Sequence, residues 1–279
     1  MAVAEEPPRS AEARAAAELA LVRVIHYYGE TPSFVLLGGL VPALLCAGAP
    51  WRHAGTTDVD VQVNLEIATG SHHAPRLERA LGGAGFSPSA DRVWRWVTST
   101  AGGTKAEVKF ELLADLDDQP AGAEVVFDGC EHLGAANLSG TGYAARDVVL
   151  HDLSAEDEGV TRNVRVAMSG LAGFLLAKLA AAAGRRKPKD WYDIAFVLLH
   201  NDAGGVAMAA QLVNEKFPAA PLARQGRGWS TCRPTSPTAP PKAWTPTSSR
   251  CFWTIQTKTR ASSRATHSLR SQSSVGCSN

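Results

Sequence analysis

Between Thr57 and Asn64 the chain reads Thr-Asp-Val-Asp-Val-Gln-Val-Asn, a strict alternation that only a half-buried strand accommodates. Successive strand side chains point to opposite faces, so Val59, Val61 and Val63 share one face while Asp58, Asp60 and Gln62 share the other. The valines require a core. The aspartates stand together, and like charges that close repel unless a cation lies between them. Upstream, Phe34-Val35-Leu36-Leu37 is a short apolar run that ends in Gly38-Gly39. It reads as a buried strand leading through the Gly pair into a helix over Leu40 to Ala47. Glycine there lets the backbone approach a ligand, and a helix start offers free N–H groups to phosphate. An ordinary strand-to-helix turn and a solvated strand edge would look the same locally.

The rest of the body supplies more elements. Ser10 to Tyr28 reads as an amphipathic helix and His73 to Leu81 as another, closed by Gly82-Gly83. Arg92 to Ser99 and Lys105 to Leu112 read as strands joined by a Gly102-Gly103 turn. Glu124 to Phe127 and Asp147 to Leu150 are weaker strand candidates. After Val166 the pattern is helical: Ser169 to Ala183, Lys189 to His200, and Val206 to Lys216. The expected class is therefore α+β, with a mixed sheet and flanking helices over residues 1–160. A helical domain over 161–222 and a tail over 223–279 follow.

The tail differs in kind. No Asp or Glu occurs after Glu215, while the last 62 of the 279 residues hold nine of the 28 Lys and Arg. The first 217 residues are left with 19 basic against 27 acidic side chains, a net of −8. Such a body has little nonspecific affinity for nucleic acid unless basic residues gather at one place. From Gln225 the text is rich in Ser, Thr, Pro, Arg and Trp, without periodicity, and cannot build a core. It reads as disordered. A basic, Trp-dotted nucleic-acid arm, a tail without a role, and a slipped coding frame near residue 222 all give this composition; the slipped frame is the favoured reading. The five cysteines form no CxxC pair and suggest neither a disulfide framework nor a zinc site. With no apolar leader and no run long enough to span a bilayer, a cytoplasmic protein without membrane partners is expected.

Further candidates for chemistry lie downstream. In Val108-Lys109-Phe110-Glu111-Leu112, Glu111 faces away from the apolar side chains. It is either a third carboxylate for a metal site or part of a charged strand face. Lys178 sits in an apolar helix with Phe174 and Leu175, where a cation needs an anionic partner. Arg185 follows at that helix's end, and Asp190 and Asp193 are neighbours on the next. An ion pair between Lys178 and Asp193 that joins two helices is the structural alternative to a triphosphate site.

Taken in order, these motifs resemble the nucleotidyltransferase fold of the DNA polymerase beta superfamily, and more closely the AbiEii/AbiGii toxin family. The match comprises Gly38-Gly39, Arg52, Thr57-Asp58-Val59-Asp60, a K-x6-R pair at Lys178 and Arg185, and a D-x-x-D pair at Asp190 and Asp193. The resemblance implies transfer of an NMP unit from an NTP, with Mg²⁺ (or Mn²⁺) held by Asp58, Asp60 and Glu111. It also implies nucleotide contacts from Gly38, Gly39, Arg52, Thr57, Lys178 and Arg185, and assistance from Asp190 and Asp193. The implied acceptor is RNA, such as a tRNA end, and the implied partner a cognate antitoxin. Two residues depart from the pattern: Leu40 replaces the usual Ser or Thr after the Gly pair, and Glu111 stands where Asp is commoner. A small-molecule nucleotidyltransferase and a catalytically weakened nucleotide-binding protein are the alternatives.

Overall fold

The computed structural model describes residues 10–63, 72–99 and 107–218. The chain enters through α1 (Ala11–Tyr28). Ser10 is extended and its hydroxyl accepts the Ala13 N–H at 3.1 Å, a side-chain N-cap. Gly29, at φ 85°, closes the helix with its N–H on the Ile25 and His26 carbonyls. Ala17, Leu21, Val24 and Tyr28 recur at helical spacing and are buried.

β1 (Phe34–Leu37) is buried throughout and runs into a single 3-10 turn, Gly38–Leu40. The helix expected over Leu40 to Ala47 is only α2 (Val41–Leu45). Its end is held from outside, because Asp202 accepts the N–H groups of Ala47 and Gly48 at 2.9 Å each. β2 (Asp58–Val63) follows, antiparallel to β1 with Leu37 opposite Asp60. Next come α3 (His73–Gly83), which takes both glycines into its last turn, and the strands β3 (Ser87–Pro88) and β4 (Arg95–Ser99). β5 (Glu107–Ala114) lies parallel to β2, and β6 (Glu124–Val126), β7 (Gly134–Asn137) and the short α4 (Gly142–Arg146) complete this half. The Gly102-Gly103 turn lies outside the described residues, as do residues 219–279 and with them the tail.

β8 (Val148–Asp157) and β9 (Val160–Ser169) then pair antiparallel along their whole length, from Val148 opposite Ser169 to Asp157 opposite Val160. Only a weak strand over Asp147 to Leu150 was expected here. The two-residue turn Glu158-Gly159 has positive φ at both positions (52° and 79°), the hairpin geometry that suits the twist of the flanking strands. Most of the hairpin's outer length is solvated, which blurs the apolar alternation that marks a strand. Arg23 and Arg162 each donate to Asp157 at 2.8 Å, tying the turn to α1.

Among the described residues, nine strands form one mixed sheet in the order β3-β4-β5-β2-β1-β9-β8, with β7 joined to β5 and β6 to β7. The expected α+β class with flanking helices is what the structure has. The expected boundary at residue 160 coincides with the first residue of β9, which pairs parallel with β1 inside the sheet. The described residues fall within one compact unit, and Phe174, Leu175, Ile194 and Val197 of the later helices share the sheet's own core. Three helices close the body: α5 (Leu171–Arg185), α6 (Pro188–His200) and α7 (Gly205–Lys216). Val59, Val61, Phe110 and Leu112, all fully buried, carry one sheet face into the main core with α1 and α3. On the other face Leu37, Leu113, Ala136 and Ala144 form a small cluster with Trp94. The carboxylates share that second face. No helix among the described residues is long and apolar enough to cross a membrane.

Candidate active site

Strand register assembles the acidic half of the site. Asp58 lies opposite Lys109 and Asp60 opposite Glu111 across the β2–β5 pair, and Arg95 on β4 lies opposite Glu111 in turn. Partners in register share a face, so these five side chains project from the same side of the sheet. Arg95 Nε donates to Glu111 Oε1 at 2.8 Å, and its guanidinium lies 4.8 Å from the Trp94 ring centroid. Lys189 Nζ stands 3.7 Å from Asp58 Oδ2.

Crowding of like charge shows in the protonation. Asp60 keeps a little open surface but sits deep among protein atoms. Burial, then the charges of Glu111 and Asp58, push its carboxyl up to about 7, against the pull of Lys178 and Arg185. Glu111 is raised as well, by burial first and by Asp58, with Arg95 opposing.

The Gly pair is shaped around these side chains. Gly38 has φ 79°, and a Cβ there would lie 1.9 Å from Asp60 Oδ2 and 2.6 Å from its Cγ. A Cβ on Gly39 would lie 2.9 Å from Thr56 Oγ1, the oxygen that accepts the Asp58 N–H at 3.1 Å. Thr57, by contrast, is buried and uses its carbonyl to accept the Lys109 N–H. Leu40 is buried in the main core. Thr56 thus supplies a hydroxyl beside the carboxylate strand.

The basic half comes from the helices. Lys178 on α5 donates to Asp193 Oδ2 at 2.8 Å and to Asp190 Oδ1 at 3.4 Å. Arg185 binds Asp190 with two parallel bonds of 2.7 Å, the bidentate geometry that guanidinium favours. Burial pushes Asp190 up, but Arg185 and Lys178 together outweigh it and hold the carboxyl below the ordinary range. Arg185 is raised, through its bond to Asp190 first and the charges of Asp60 and Glu111 among the rest. The anticipated ion pair between the two helices therefore exists, and the same cations also act on Asp60. Arg52 is exposed, and its charge acts on Glu18 of α1.

Three neighbours carry no strong local signal in the sequence. His53, fully buried, puts Nε2 2.9 Å from Asp193 Oδ1; Arg95 engages Glu111; Lys189 reaches toward Asp58. Other side chains have structural roles. His73 Nδ1 lies 2.8 Å from the Tyr28 hydroxyl, and Asp115 accepts the N–H groups of Gly140 and Gly142. Trp96 is in the main core, while Trp94 precedes β4 and packs on the opposite side.

Among the described residues, no three His, Cys, Asp or Glu side chains are grouped as a ready metal cage. The donor chemistry nonetheless suits a hard cation. Mg²⁺ needs only one or two protein carboxylates when phosphate oxygens and water supply the rest, and Asp58 and Asp60 offer that pair. Asp60 is pushed up by burial first and then by the charges of Glu111 and Asp58, a repulsion that a cation would relieve. Glu111 is directed to Arg95, so it joins such a set only on release.

The crystal structure of an antigenic nucleotidyltransferase-like protein from Paracoccidioides brasiliensis is similar to this chain at a TM-score of 0.39 and 14% identity, over 78% of this chain and 94% of that one. No protein-family model and no curated protein matches the chain.

Proposed function

We propose that this protein transfers a nucleotidyl group from a nucleoside triphosphate to an acceptor hydroxyl. The acceptor oxygen bonds to the α-phosphorus, the bond to the leaving pyrophosphate breaks, and the acceptor's proton passes to a carboxylate. The observation that carries this reading is the facing of two charge sets. Asp58 and Asp60 stand together on β2, and Asp60 is within the electrostatic reach of Lys178 and Arg185 from the helices.

Each side chain then has a task. Asp58 and Asp60 would hold Mg²⁺ or Mn²⁺, which neutralises phosphate charge when bound. Glu111, with its raised proton affinity and a place opposite Asp60, is suited to receive the acceptor's proton once Arg95 releases it. Lys178 and Arg185 offset the triphosphate's charge, and Asp190 and Asp193 keep both cations extended in the absence of substrate. Gly38 and Gly39 keep the β1 end free of side chains, so that a phosphate can approach the backbone. Catalysis of this kind is positioning and charge stabilisation more than covalent chemistry.

The order of motifs extends the proposal to an RNA acceptor such as a tRNA end and to a toxin held by a cognate antitoxin. Small-molecule acceptors are the alternative within the same chemistry. Retention of Glu111 by Arg95 at 2.8 Å favours a second reading, a nucleotide-binding protein that does not transfer.

The test is incubation with each α-labelled NTP, Mg²⁺ or Mn²⁺, and total RNA or a panel of hydroxylated small molecules. Transfer by the wild type that is lost in Asp58→Ala and Asp60→Ala supports the proposal. NTP binding without transfer to any acceptor selects the second reading, and absence of both binding and transfer refutes the site.

A further inference from the structure

His53 has a buried nitrogen with nothing to bond. Its side chain is 0% exposed and its ring packs between Tyr192 and Phe196, with centroids 5.1 and 4.9 Å away. Nε2 lies 2.9 Å from Asp193 Oδ1, whereas Nδ1 is buried without a partner. A carboxylate only accepts, so the proton of this bond sits on Nε2 and the imidazole donates. The orphaned Nδ1 makes His53 an expensive choice for packing alone. A phenyl ring would fill the same aromatic surroundings without that penalty. The bond to Asp193 is therefore the reason for an imidazole here.

That bond acts on one oxygen while Lys178 uses the other. Asp193 Oδ1 faces His53 and Oδ2 accepts Lys178 at 2.8 Å, with the carboxylate 1% exposed. A carboxylate pinned at one oxygen presents the other in a defined direction. Rotation about its terminal bond would break both contacts together. Lys178's other carboxylate partner, Asp190, is at 3.4 Å and is already taken by both bonds from Arg185. The direction of the lysine thus depends chiefly on Asp193.

The geometry points to His53 as a positioning residue: through Asp193 it aims the Lys178 ammonium, and so sets how tightly the site takes a triphosphate. The positioning stands on the contacts just given; its functional weight rests on the reading of Lys178 as the residue that meets the triphosphate.

The test begins without ligand. Acetylation of Lys178 by an amine-reactive ester, followed by mass spectrometry, reports how firmly the ammonium is held. His53→Phe keeps the ring and removes the donor; it should speed Lys178 labelling about tenfold, the scale of losing one charge-assisted hydrogen bond. His53→Gln carries an amide N–H at a similar reach and should restore most of the protection. A packing role gives the reverse order, Phe behaving as wild type and Gln labelling faster, and that order overturns the proposal. Asp193→Asn reads the link from the other side, so labelling should rise and His53→Phe should then add nothing. Additive effects would overturn the link even if one variant folds poorly.

Calorimetry with ATP then separates the two layers. His53→Phe should weaken ATP about tenfold, with no further loss in a Lys178→Ala background. If the wild type binds neither ATP nor any other NTP, the proposed function fails while the labelling order still decides the role of His53. If ATP binding is intact in His53→Phe although Lys178 is loosened, the aiming of a triphosphate ligand is refuted.

Discussion

Replacing Gly38 by alanine tests whether the Gly pair and the carboxylate strand are one packed unit. Two costs arise, and they come from different atoms. Gly38 has φ 79°, a left-handed conformation that costs an L-residue about 1–2 kcal/mol. The new methyl would also lie 1.9 Å from Asp60 Oδ2, 2.6 Å from Cγ and 2.7 Å from Cβ. The carboxylate can rotate away, but the Cβ cannot move without β2, so the collision adds about 1–3 kcal/mol, the usual range for overpacking. The whole substitution should cost about 2–5 kcal/mol in urea denaturation of the body. Repeating it in an Asp60→Gly background removes the Asp60 atoms and leaves only the backbone strain. There the cost should fall to about 1–2 kcal/mol, and the difference is the coupling between the two positions. Equal costs in both backgrounds would show that Gly38 serves the turn alone and that its approach to Asp60 is without consequence.

Asp60 should also govern part of the pH dependence. Folded, it takes its proton near pH 7, against an ordinary value of 3.8, so between these values the folded state binds more protons than the unfolded one. Stability should therefore fall as pH rises from about 4 to about 7, by about 4 kcal/mol at most for this group. Asp60→Asn should melt higher than wild type at pH 8 and lose that advantage at pH 4; a difference that is flat with pH would refute the raised carboxyl. Arg95→Met removes a positive charge from the cluster and frees Glu111. Mn²⁺ affinity, followed by paramagnetic resonance of the free ion, should rise about tenfold, and an unchanged or weaker affinity would exclude Glu111 from the metal set.

What was legible in the chain follows from which side chains are buried on one face only. β1 was read to the residue and β2 to within one because Phe34 to Leu37 are wholly apolar and the valines of β2 alternate with charge. β9 escaped because its first half is solvated and its anchoring is polar, through Arg23 and Arg162 on Asp157. A strand that looks like loop also makes the helices that follow it look separate from the sheet. The site divided the same way. Lys178, Asp190 and Asp193 were readable because charge in an apolar helix demands a partner within the neighbouring turns. His53 was not, because its partner lies 140 residues away and nothing in Arg52-His53-Ala54 marks the ring as buried. Gly38 was legible as a glycine that something must approach, but the closest atom in the structure is an oxygen of Asp60, on the adjacent strand. Helix α2 is five residues long and offers little dipole to an anion. Under the proposed function, the Gly pair therefore bears on nucleotide chemistry first through Asp60. Strand register sets Asp60 beside Asp58 and Glu111, and Gly38 leaves the room that its carboxylate occupies there, the arrangement on which the proposed cation site rests.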